Sequence, residues 1–178
     1  MASLLTHPVV PAALGVALGR NNIPLTALAL GVLLSIIPDA DVVAFKFGIP
    51  YGDMLGHRGF SHSLLFAAVI ALCLCALPRF ALQRSKIFLF LFISAASHGL
   101  LDAMTSGGLG VGFFIPFAAD RYFLPLRPIR VSPLSVKGFF TGRGWLIFQS
   151  ELLWIWLPCT ALALAGIIFR RRRVKVRA

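Results

Sequence analysis

Five long runs of apolar residues limit what this chain can fold into. They cover residues 8–18, 23–37, 61–77, 87–104 and 145–169. A membrane-spanning helix needs about 17–25 apolar residues, and the last three runs meet or approach that length. With 58% apolar and 13% charged residues, the chain also has more apolar surface than a soluble domain of 178 residues can bury. The sequence therefore predicts a polytopic membrane protein and excludes an ordinary soluble fold, a disordered chain and a secreted disulfide-linked protein.

The spacing of the runs predicts an all-α bundle of about five apolar helices in a single integral membrane domain. The two short runs favour a tight helical hairpin that turns at residues 20–22, although two full spans or a re-entrant pair also fit their length. The predicted order is a hairpin over 1–37, a loop over 38–60, a second hairpin over 61–104, a basic loop rich in Gly and Pro over 105–144, a C-terminal membrane helix over 145–169 and a basic tail over 170–178.

The net charge of +11 predicts an orientation for this bundle. Lys and Arg collect in the short cytoplasmic connections of membrane proteins, so we do not expect nucleic-acid binding. Ten basic residues share one side if the helices alternate: Arg20, Arg79, Arg84, Lys86, Arg170, Arg171, Arg172, Arg173, Lys175 and Arg177. We therefore expect a multi-pass protein of a bacterial or archaeal inner membrane with a cytoplasmic C-terminus. The loop over 105–144 then lies outside, where its five basic residues go against the rule.

Most ionisable side chains in or beside the apolar runs fall at one depth of this topology. All four histidines and four of the six acids lie near the outer ends of the predicted helices: His7, Asp39, Asp41, His57, His62, His98, Asp102 and Glu151. Each residue alone has a structural explanation, such as a hydrogen-bonded helix end. Together they would suffer large desolvation and like-charge costs unless a cation lay among them. The sequence therefore predicts a divalent-metal site near one membrane face.

Two local spacings support a shared site. His98 and Asp102 are four residues apart, which places them on one helix face about 5–6 Å apart. Asp39 and Asp41 follow Pro38, and an extended backbone there would send both carboxylates to the same side.

The two histidines of the segment HRGFSH need a different arrangement. His57 and His62 are five residues apart and cannot share one helix face. We expect His62 to open a helix with Ser61 as its N-cap, while Gly56 and Gly59 let the preceding loop fold His57 back toward it.

Five motifs occur in a fixed order between residue 7 and about residue 130: His7, PDAD, HRGFSHS, HGLLDAMTSGG and PFAADR. In this joint pattern the chain resembles the YdjM/YbcI-like family of membrane-bound metal-dependent hydrolases. More distantly it is similar to the zinc-dependent phospholipase C and S1/P1 nuclease group, whose helical cores bind zinc. The resemblance draws attention to Thr105 and Arg121, and it implies metal-ligand roles for His7, Asp39, Asp41, His57, His62, His98 and Asp102. The ligand role of Glu151 rests on depth alone.

Three functions fit these residues, and an integral membrane hydrolase accounts for most of them. In that interpretation two or three divalent ions, expected to be zinc, activate water against a phosphoester such as a phospholipid or a lipid-linked phosphate. Asp39 or Asp41 would accept the proton or bridge the metals, while Arg58 and Arg121 would hold the phosphate charge. Membrane lipids are the expected partners.

A metal or proton transporter is the alternative, because intramembrane His and Asp also mark ion pathways. The helix halves away from the ligand layer are almost wholly apolar, which argues against a pathway. A non-catalytic membrane protein stabilised by metal is the third possibility.

Overall fold

The computed structural model of the chain describes residues 1–133 and 142–177. This part is all-helical, as predicted, and its only β pairing is two isolated bridges, between Thr105 and Ile129 and between Val111 and Tyr122. The α-helices are α1 (Val9–Leu18), α2 (Leu25–Leu34), α3 (Leu64–Cys75), α4 (Arg84–Ala103), α5 (Gly142–Glu151) and α6 (Leu157–Arg177). A π-helical turn (Leu152–Trp156) joins α5 to α6, and 3₁₀ helices cover Ile37–Phe47, Phe60–His62 and Pro78–Gln83.

Three helical segments are long and apolar enough to cross a membrane. They are Leu25–Phe47, Pro78–Ala103 and Gly142–Arg173. The helices α1 and α3 are also apolar but have only 10 and 12 residues, which is about 15 and 18 Å of helix. The structure thus confirms a membrane helical bundle, built from long and short helices together.

Small residues let the helices of this bundle approach closely. The central helix α4 packs against α2 and α3 around an apolar core that includes Leu34 and Phe90. A Cβ added to Gly31 of α2 would lie 2.6 Å from the Phe90 ring of α4. A Cβ added to Gly166 of α6 would lie 2.5 Å from the Cα of Ala17 in α1. Such contacts hold helices together where lipid provides no hydrophobic driving force between them.

Basic residues from several parts of the chain lie at one end of the bundle. We call this end, which carries Asn22, Lys86 and Arg170, the basic end. Lys86 at the start of α4 donates to Asn22 Oδ1 in the hairpin turn (3.2 Å). Arg170 of α6 donates to the carbonyl oxygens of Val16 and Ala17 in the last turns of α1, where the helix dipole favours a cation. The opposite end, where α1 begins and α2 and α4 end, is the site end.

The expected extended backbone at Asp39 and Asp41 is wrong. Both residues lie in the 3₁₀ helix Ile37–Phe47, which follows α2 almost directly and has Pro38 in its first turn. Proline fits the first turn of a helix as readily as it ends one, because the missing N–H has no helical partner there.

The expected start of α3 at His62 is also wrong. His62 ends the short 3₁₀ helix Phe60–His62, and Ser63 caps α3 by accepting a hydrogen bond from the Phe66 amide (3.0 Å). Ser61 does not cap the helix because its hydroxyl donates to Asp41 Oδ2 instead (2.7 Å).

The basic loop folds back over the site end as far as residue 133. The amide of Gly112 donates to the carbonyl oxygen of Arg58 (2.9 Å), and the amide of Leu64 donates to that of Phe113 (3.0 Å). Residues 134–141 of this predicted loop, including Lys137, lie outside the described residues. At its C-terminal side the long helix begins at Gly142 and continues through the predicted tail to Arg177.

Candidate metal centre

Four side chains from three different elements converge at the site end. Asp39 comes from the 3₁₀ helix after α2, His62 from the 3₁₀ turn before α3, and His98 and Asp102 from the last turns of α4. Each offers one nitrogen or oxygen atom, and these four atoms lie within 4.8 Å of one another. All four side chains are buried. We call Asp39, His62, His98 and Asp102 the first ligand set.

The hydrogen bonds of the two imidazoles leave both Nε2 atoms as acceptors. His98 Nδ1 lies 2.7 Å from the carbonyl oxygen of Ser35, so Nδ1 carries the proton. His62 Nδ1 lies 2.9 Å from Ser61 Oγ and 3.2 Å from Asp41 Oδ2. Because the Ser61 hydroxyl donates its hydrogen to Asp41, both neighbours of His62 Nδ1 are acceptors, and Nδ1 carries the proton in this ring as well. When both rings are neutral, the two Nε2 lone pairs therefore face each other across 3.0 Å. A cation between them removes this repulsion, and such hydrogen bonds to Nδ1 commonly orient metal-bound histidines.

The carboxylates of the first ligand set also have spare acceptor atoms. Both oxygens of Asp39 and the Oδ2 of Asp102 are buried without a hydrogen-bond partner among the described residues. His98 Nε2 lies 3.3 Å from Asp39 Oδ1, and His62 Nε2 lies 3.7 Å from Asp102 Oδ2. Tetrahedral zinc with bonds of about 2.0–2.2 Å places its ligand atoms about 3.3–3.6 Å apart. The residues therefore fit a divalent ion bound by nitrogen and oxygen.

His7 lies beside the first ligand set. Its ring stacks on that of His98, with centroids 3.7 Å apart. Its Nε2 lies 3.7 Å from Asp102 Oδ1 and 4.0 Å from Asp39 Oδ2. Burial, followed by the charge of His98, lowers the pKa of His7 from 6.5 to about 3. His7 is therefore neutral, and both of its ring nitrogens lack a hydrogen-bond partner in the described part of the chain.

A second ligand set consists of Asp41, His57 and His62. Asp41 Oδ1 lies 2.6 Å from His57 Nδ1, while its Oδ2 accepts from Ser61 Oγ and from the Arg58 amide (3.1 Å). Because its oxygens are already engaged, Asp41 is better placed to orient the two imidazoles than to bind an ion in this arrangement. His62 belongs to both sets, with Nε2 toward the first and Nδ1 toward the second.

The buried charges of the two sets do not balance. Asp39, Asp41 and Asp102 are three carboxylates, and the fully buried Arg58 supplies one guanidinium. The Met1 amino group lies 4.0 Å from Asp102, but burial lowers its pKa, so it is a weak cation. Asp102 and Asp41 outweigh burial and raise the pKa of His62 above 6.5. Surroundings that attract a proton in this way also attract a metal ion.

Arg58 is locked inside the protein. Its Nε lies 2.9 Å from Asp102 Oδ2 as an ion pair, although the N–H is not aimed at the oxygen. Its two Nη atoms donate to the carbonyl oxygen of Gly107 (2.9 Å) and to Thr105 Oγ1 (3.0 Å). Its φ of 63° lies in the left-handed region that side chains rarely adopt. A Cβ on Gly108 would lie 2.7 Å from Arg58 Nη1, so this glycine leaves room for the guanidinium.

Arg121 braces the loop that precedes His57. It donates to the carbonyl oxygens of His57 (2.9 Å), Tyr51 (3.2 Å) and Asp53 (2.8 Å). Its side chain is only partly buried. All three acceptors are backbone atoms, so the sequence around them gave no signal for this role.

Glu151 is brought close to the site but into neither ligand set. Its carboxylate accepts from the Ser3 amide (2.5 Å), Ser3 Oγ (2.6 Å) and Thr6 Oγ1 (2.8 Å). Of the predicted ligands, the structure therefore gathers His7, Asp39, Asp41, His57, His62, His98 and Asp102, and it separates Glu151. Sequence reasoning missed the contributions of Ser35 and Tyr51, the latter packed edge-on against His57 with ring centroids 5.1 Å apart.

Comparison with known proteins agrees with the motifs. The family model described as YdjM inner membrane protein matches residues 1–174 of the chain. Over 175 residues, 97% of its length, the chain is 42% identical to the inner membrane protein YbcI of Escherichia coli (strain K12), which is covered completely. No solved structure matches the chain. The family resemblance is thus confirmed, and the chain belongs to the YdjM family of inner membrane proteins.

Proposed function

We propose that the chain is a metal-dependent hydrolase that cleaves a phosphoester at the membrane surface. The observation that carries the proposal is the first ligand set, in which two imidazole Nε2 atoms lie 3.0 Å apart beside carboxylate oxygens that have no hydrogen-bond partner within residues 1–133 and 142–177. Mixed nitrogen and oxygen donors suit zinc. We expect the first ion to bind this set. A second or third ion would need Asp41 and His57, and would cost the hydrogen bonds that orient His57 and His62.

The residues around the ion would divide the chemistry between them. A bound divalent ion would lower the pKa of its water toward about 7 and stabilise charge on the phosphoester oxygens. Both oxygens of Asp39 lack a hydrogen-bond partner in the described part of the chain, so one could face the ion while the other accepts the proton of the attacking water. Asp41 holds His57 and His62 in place. As the water oxygen bonds to phosphorus, the phosphorus–oxygen bond to the leaving group would break, and the leaving oxygen would take up the proton that Asp39 accepted.

The structure favours other roles for the two arginines than the phosphate clamp expected from the sequence. The guanidinium of Arg58 is fully buried and engaged with Asp102, Thr105 and Gly107. We propose Arg58 as the counter-ion of Asp102 and Arg121 as a brace of the loop beside His57. The bound ion would then neutralise most of the negative charge of the substrate.

The surface around the site supports a lipid-linked substrate. Exposed apolar side chains occur on the connections at the site end: Phe47 is 78% exposed, Phe117 82% and Leu126 74%. The exposed cations Lys46 and Arg127 lie on the same connections. Apolar side chains beside cations suit the interface between acyl chains and anionic head groups. We therefore propose a phospholipid or another lipid-linked phosphoester as the substrate, and the outer leaflet as its location.

A transporter is less well supported by the interior of the bundle. Between the first ligand set and the basic end, α4 carries Ser94 and Ser97, whose hydroxyls donate to carbonyl oxygens of their own helix (2.7 and 2.8 Å). The described core around them consists of apolar side chains. An ion that left the site toward the basic end would therefore meet no imidazole or carboxylate among the described residues of this core.

Turnover of phosphoesters by the purified protein tests the proposal. The protein in detergent would be loaded with zinc and offered a chromogenic phosphodiester, a phosphomonoester and phospholipids in mixed micelles, with and without chelator. We expect chelator-sensitive hydrolysis that is lost in His98→Ala and kept in Ser94→Ala, a buried control on the same helix. Zinc-loaded protein that hydrolyses none of these, but carries zinc across vesicle membranes, would replace the hydrolase with the transporter.

A further inference from the structure

We propose that Glu151 is a positioning residue that ties the N-terminal segment to the long C-terminal helix and so seats His7 against the first ligand set. The proposal rests on the metal site proposed above. The predicted depth of Glu151 in the membrane does not reveal this role.

Glu151 forms a buried polar clamp around residues 3–6. Its side chain has no exposed surface, and its two oxygens accept the three hydrogen bonds from Ser3 and Thr6 described above. The indole Nε1 of Trp156 donates to Thr6 Oγ1 as well (3.0 Å). A carboxylate that accepts several hydrogen bonds from buried donors is held strongly, because each bond is charge-assisted.

The clamped segment carries two contacts to the first ligand set. Thr6 directly precedes His7, whose ring stacks on His98. At the other side of the clamp, the amide of Ala2 donates to Asp102 Oδ1 (2.8 Å). Fixing Ser3 and Thr6 therefore fixes both a candidate ligand and a hydrogen bond to another.

The segment has no regular secondary structure, and apart from the clamp it is held near its start, where the Ser132 amide donates to the Met1 carbonyl oxygen (2.9 Å) and Ala2 packs with Leu101, Ile129 and Ile155. Before α1 begins at Val9 it forms only turns, with the amide of Thr6 donating to the carbonyl oxygen of Ser3 (2.9 Å). The π-helical turn Leu152–Trp156 starts directly after Glu151 and brings Trp156 to the same segment. Such wide turns are frequent where a helix serves a functional site.

Zinc affinity separates positioning from ligation and from a purely structural role. Zn²⁺ would be titrated against a competing chelator into wild type and into the single variants Glu151→Gln, His7→Ala, Thr6→Ser and Gln149→Ala, the last an exposed control. Two double variants, Glu151→Gln/His7→Ala and Ser3→Ala/Thr6→Ala, complete the set. We expect about 10–100-fold weaker binding for Glu151→Gln, the range found when residues behind metal ligands are changed. Ser3→Ala/Thr6→Ala should reproduce this loss, whereas Thr6→Ser and Gln149→Ala should bind as wild type does.

Two results would overturn the proposal. If Glu151 were itself a ligand, Glu151→Gln would weaken binding while Ser3→Ala/Thr6→Ala would not. If it only stabilised the fold, Glu151→Gln would lower the melting temperature and leave zinc affinity unchanged. In the His7→Ala background, Glu151→Gln should cost less affinity than it does alone, because part of its effect passes through His7.

A second measurement needs no metal. Ala2 is fully buried, so Ala2→Cys should resist a thiol reagent, with labelling read at that site by mass spectrometry. We expect faster labelling when Glu151→Gln is added and no change when Gln149→Ala is added. Equal protection in both would overturn the proposal. If the wild-type protein binds no zinc, the proposed function is refuted instead. The labelling experiment alone then tests whether Glu151 holds this segment in position.

Discussion

Asp39 and Asp41 are two residues apart and face different nitrogens of the same imidazole, that of His62. In a 3₁₀ helix successive residues turn by about 120°, so residues two apart point to different sides. Asp39 Oδ1 lies on the Nε2 side of His62 (4.0 Å), and Asp41 Oδ2 on its Nδ1 side (3.2 Å). In the proposed metal site, the motif PDAD would thus supply one carboxylate for the ion and one that orients the histidines.

This division predicts different losses from similar substitutions. Asp39→Asn should abolish tight zinc binding because it removes a ligand charge, whereas Asp41→Asn should weaken it about 10–100-fold by loosening His57 and His62. Calorimetric titration of zinc into each variant measures the difference. Asp53→Asn is the control, since Asp53 is exposed and its carboxylate accepts from the Leu55 amide. Wild-type affinity in Asp39→Asn would remove Asp39 from the ligand set.

Arg58 should matter for stability even before any chemistry is measured. Arg58→Ala leaves Asp102 without the guanidinium beside it and removes the hydrogen bonds that Arg58 donates to the Gly107 carbonyl oxygen and Thr105 Oγ1. Removing one partner of a buried ion pair costs about 3–5 kcal/mol. Unfolding in detergent with added denaturant should show this loss, while Arg143→Ala, at an exposed position, should change the stability little. An Arg58→Ala protein as stable as wild type would contradict the counter-ion role.

The ligand residues could be predicted from the sequence because imidazoles and carboxylates stand out in apolar surroundings, where they are costly. The side chains and backbone atoms that each of these residues contacts could not be predicted in this way. Glu151 lies at the depth of the ligands, but depth is a single coordinate and did not reveal that Ser3 and Thr6 occupy its carboxylate. Ser35 contributes a backbone carbonyl, which any residue at that position would offer.

At the scale of the elements, the crossing of α1 and α6 depends on the absence of a side chain at Gly166. A methyl group there would meet the backbone of Ala17 at 2.5–2.6 Å, and backbone atoms cannot move aside as a side-chain end can. We expect Gly166→Ala to destabilise the protein by about 1–3 kcal/mol, as overpacking commonly does. Thermal unfolding in detergent measures the change. Gly142→Ala is the control, because nothing lies within 4 Å of a Cβ at Gly142, and equal stability of both variants would contradict the close crossing.

The apolar runs predicted where the helices lie, but single hydrogen bonds set where they begin. Ser61 and Ser63 are both able to cap α3, and the sequence around them favours neither. The choice falls on Ser63 because Asp41, 20 residues earlier, takes the hydroxyl of Ser61. Interactions between residues so far apart are not visible in a local pattern, which is why the start of α3 was predicted two residues too early.

At the scale of the whole molecule, the basic end and the ligand sets lie at opposite ends of the bundle, although the site end carries basic residues of its own. Contacts of Asn22 with Lys86 and of Arg170 with α1 define the basic end. The family consists of inner membrane proteins. If the basic end faces the cytoplasm, as the distribution of Lys and Arg predicts, the proposed chemistry takes place at the outer leaflet.

Cysteine labelling in intact cells and inverted membranes tests this orientation. Arg84→Cys should be labelled from the cytoplasmic side only, and Phe117→Cys from the outside only. Phe117 suits labelling from the outside because its side chain is 82% exposed. Gly108 lies on the same loop but is unsuitable, because a side chain there would collide with Arg58. Labelling of Phe117→Cys from the cytoplasm alone would invert the orientation and move the proposed chemistry to the inner leaflet.

The metal content of the purified protein tests the central claim most directly. Protein extracted in detergent, supplied with zinc and freed of excess by gel filtration, would be measured by inductively coupled plasma mass spectrometry. We predict at least about one tightly bound ion per chain in wild type and in Ser94→Ala, and its loss in His98→Ala. Folded wild-type protein that retains no divalent metal, or His98→Ala that retains as much as wild type, would contradict the account.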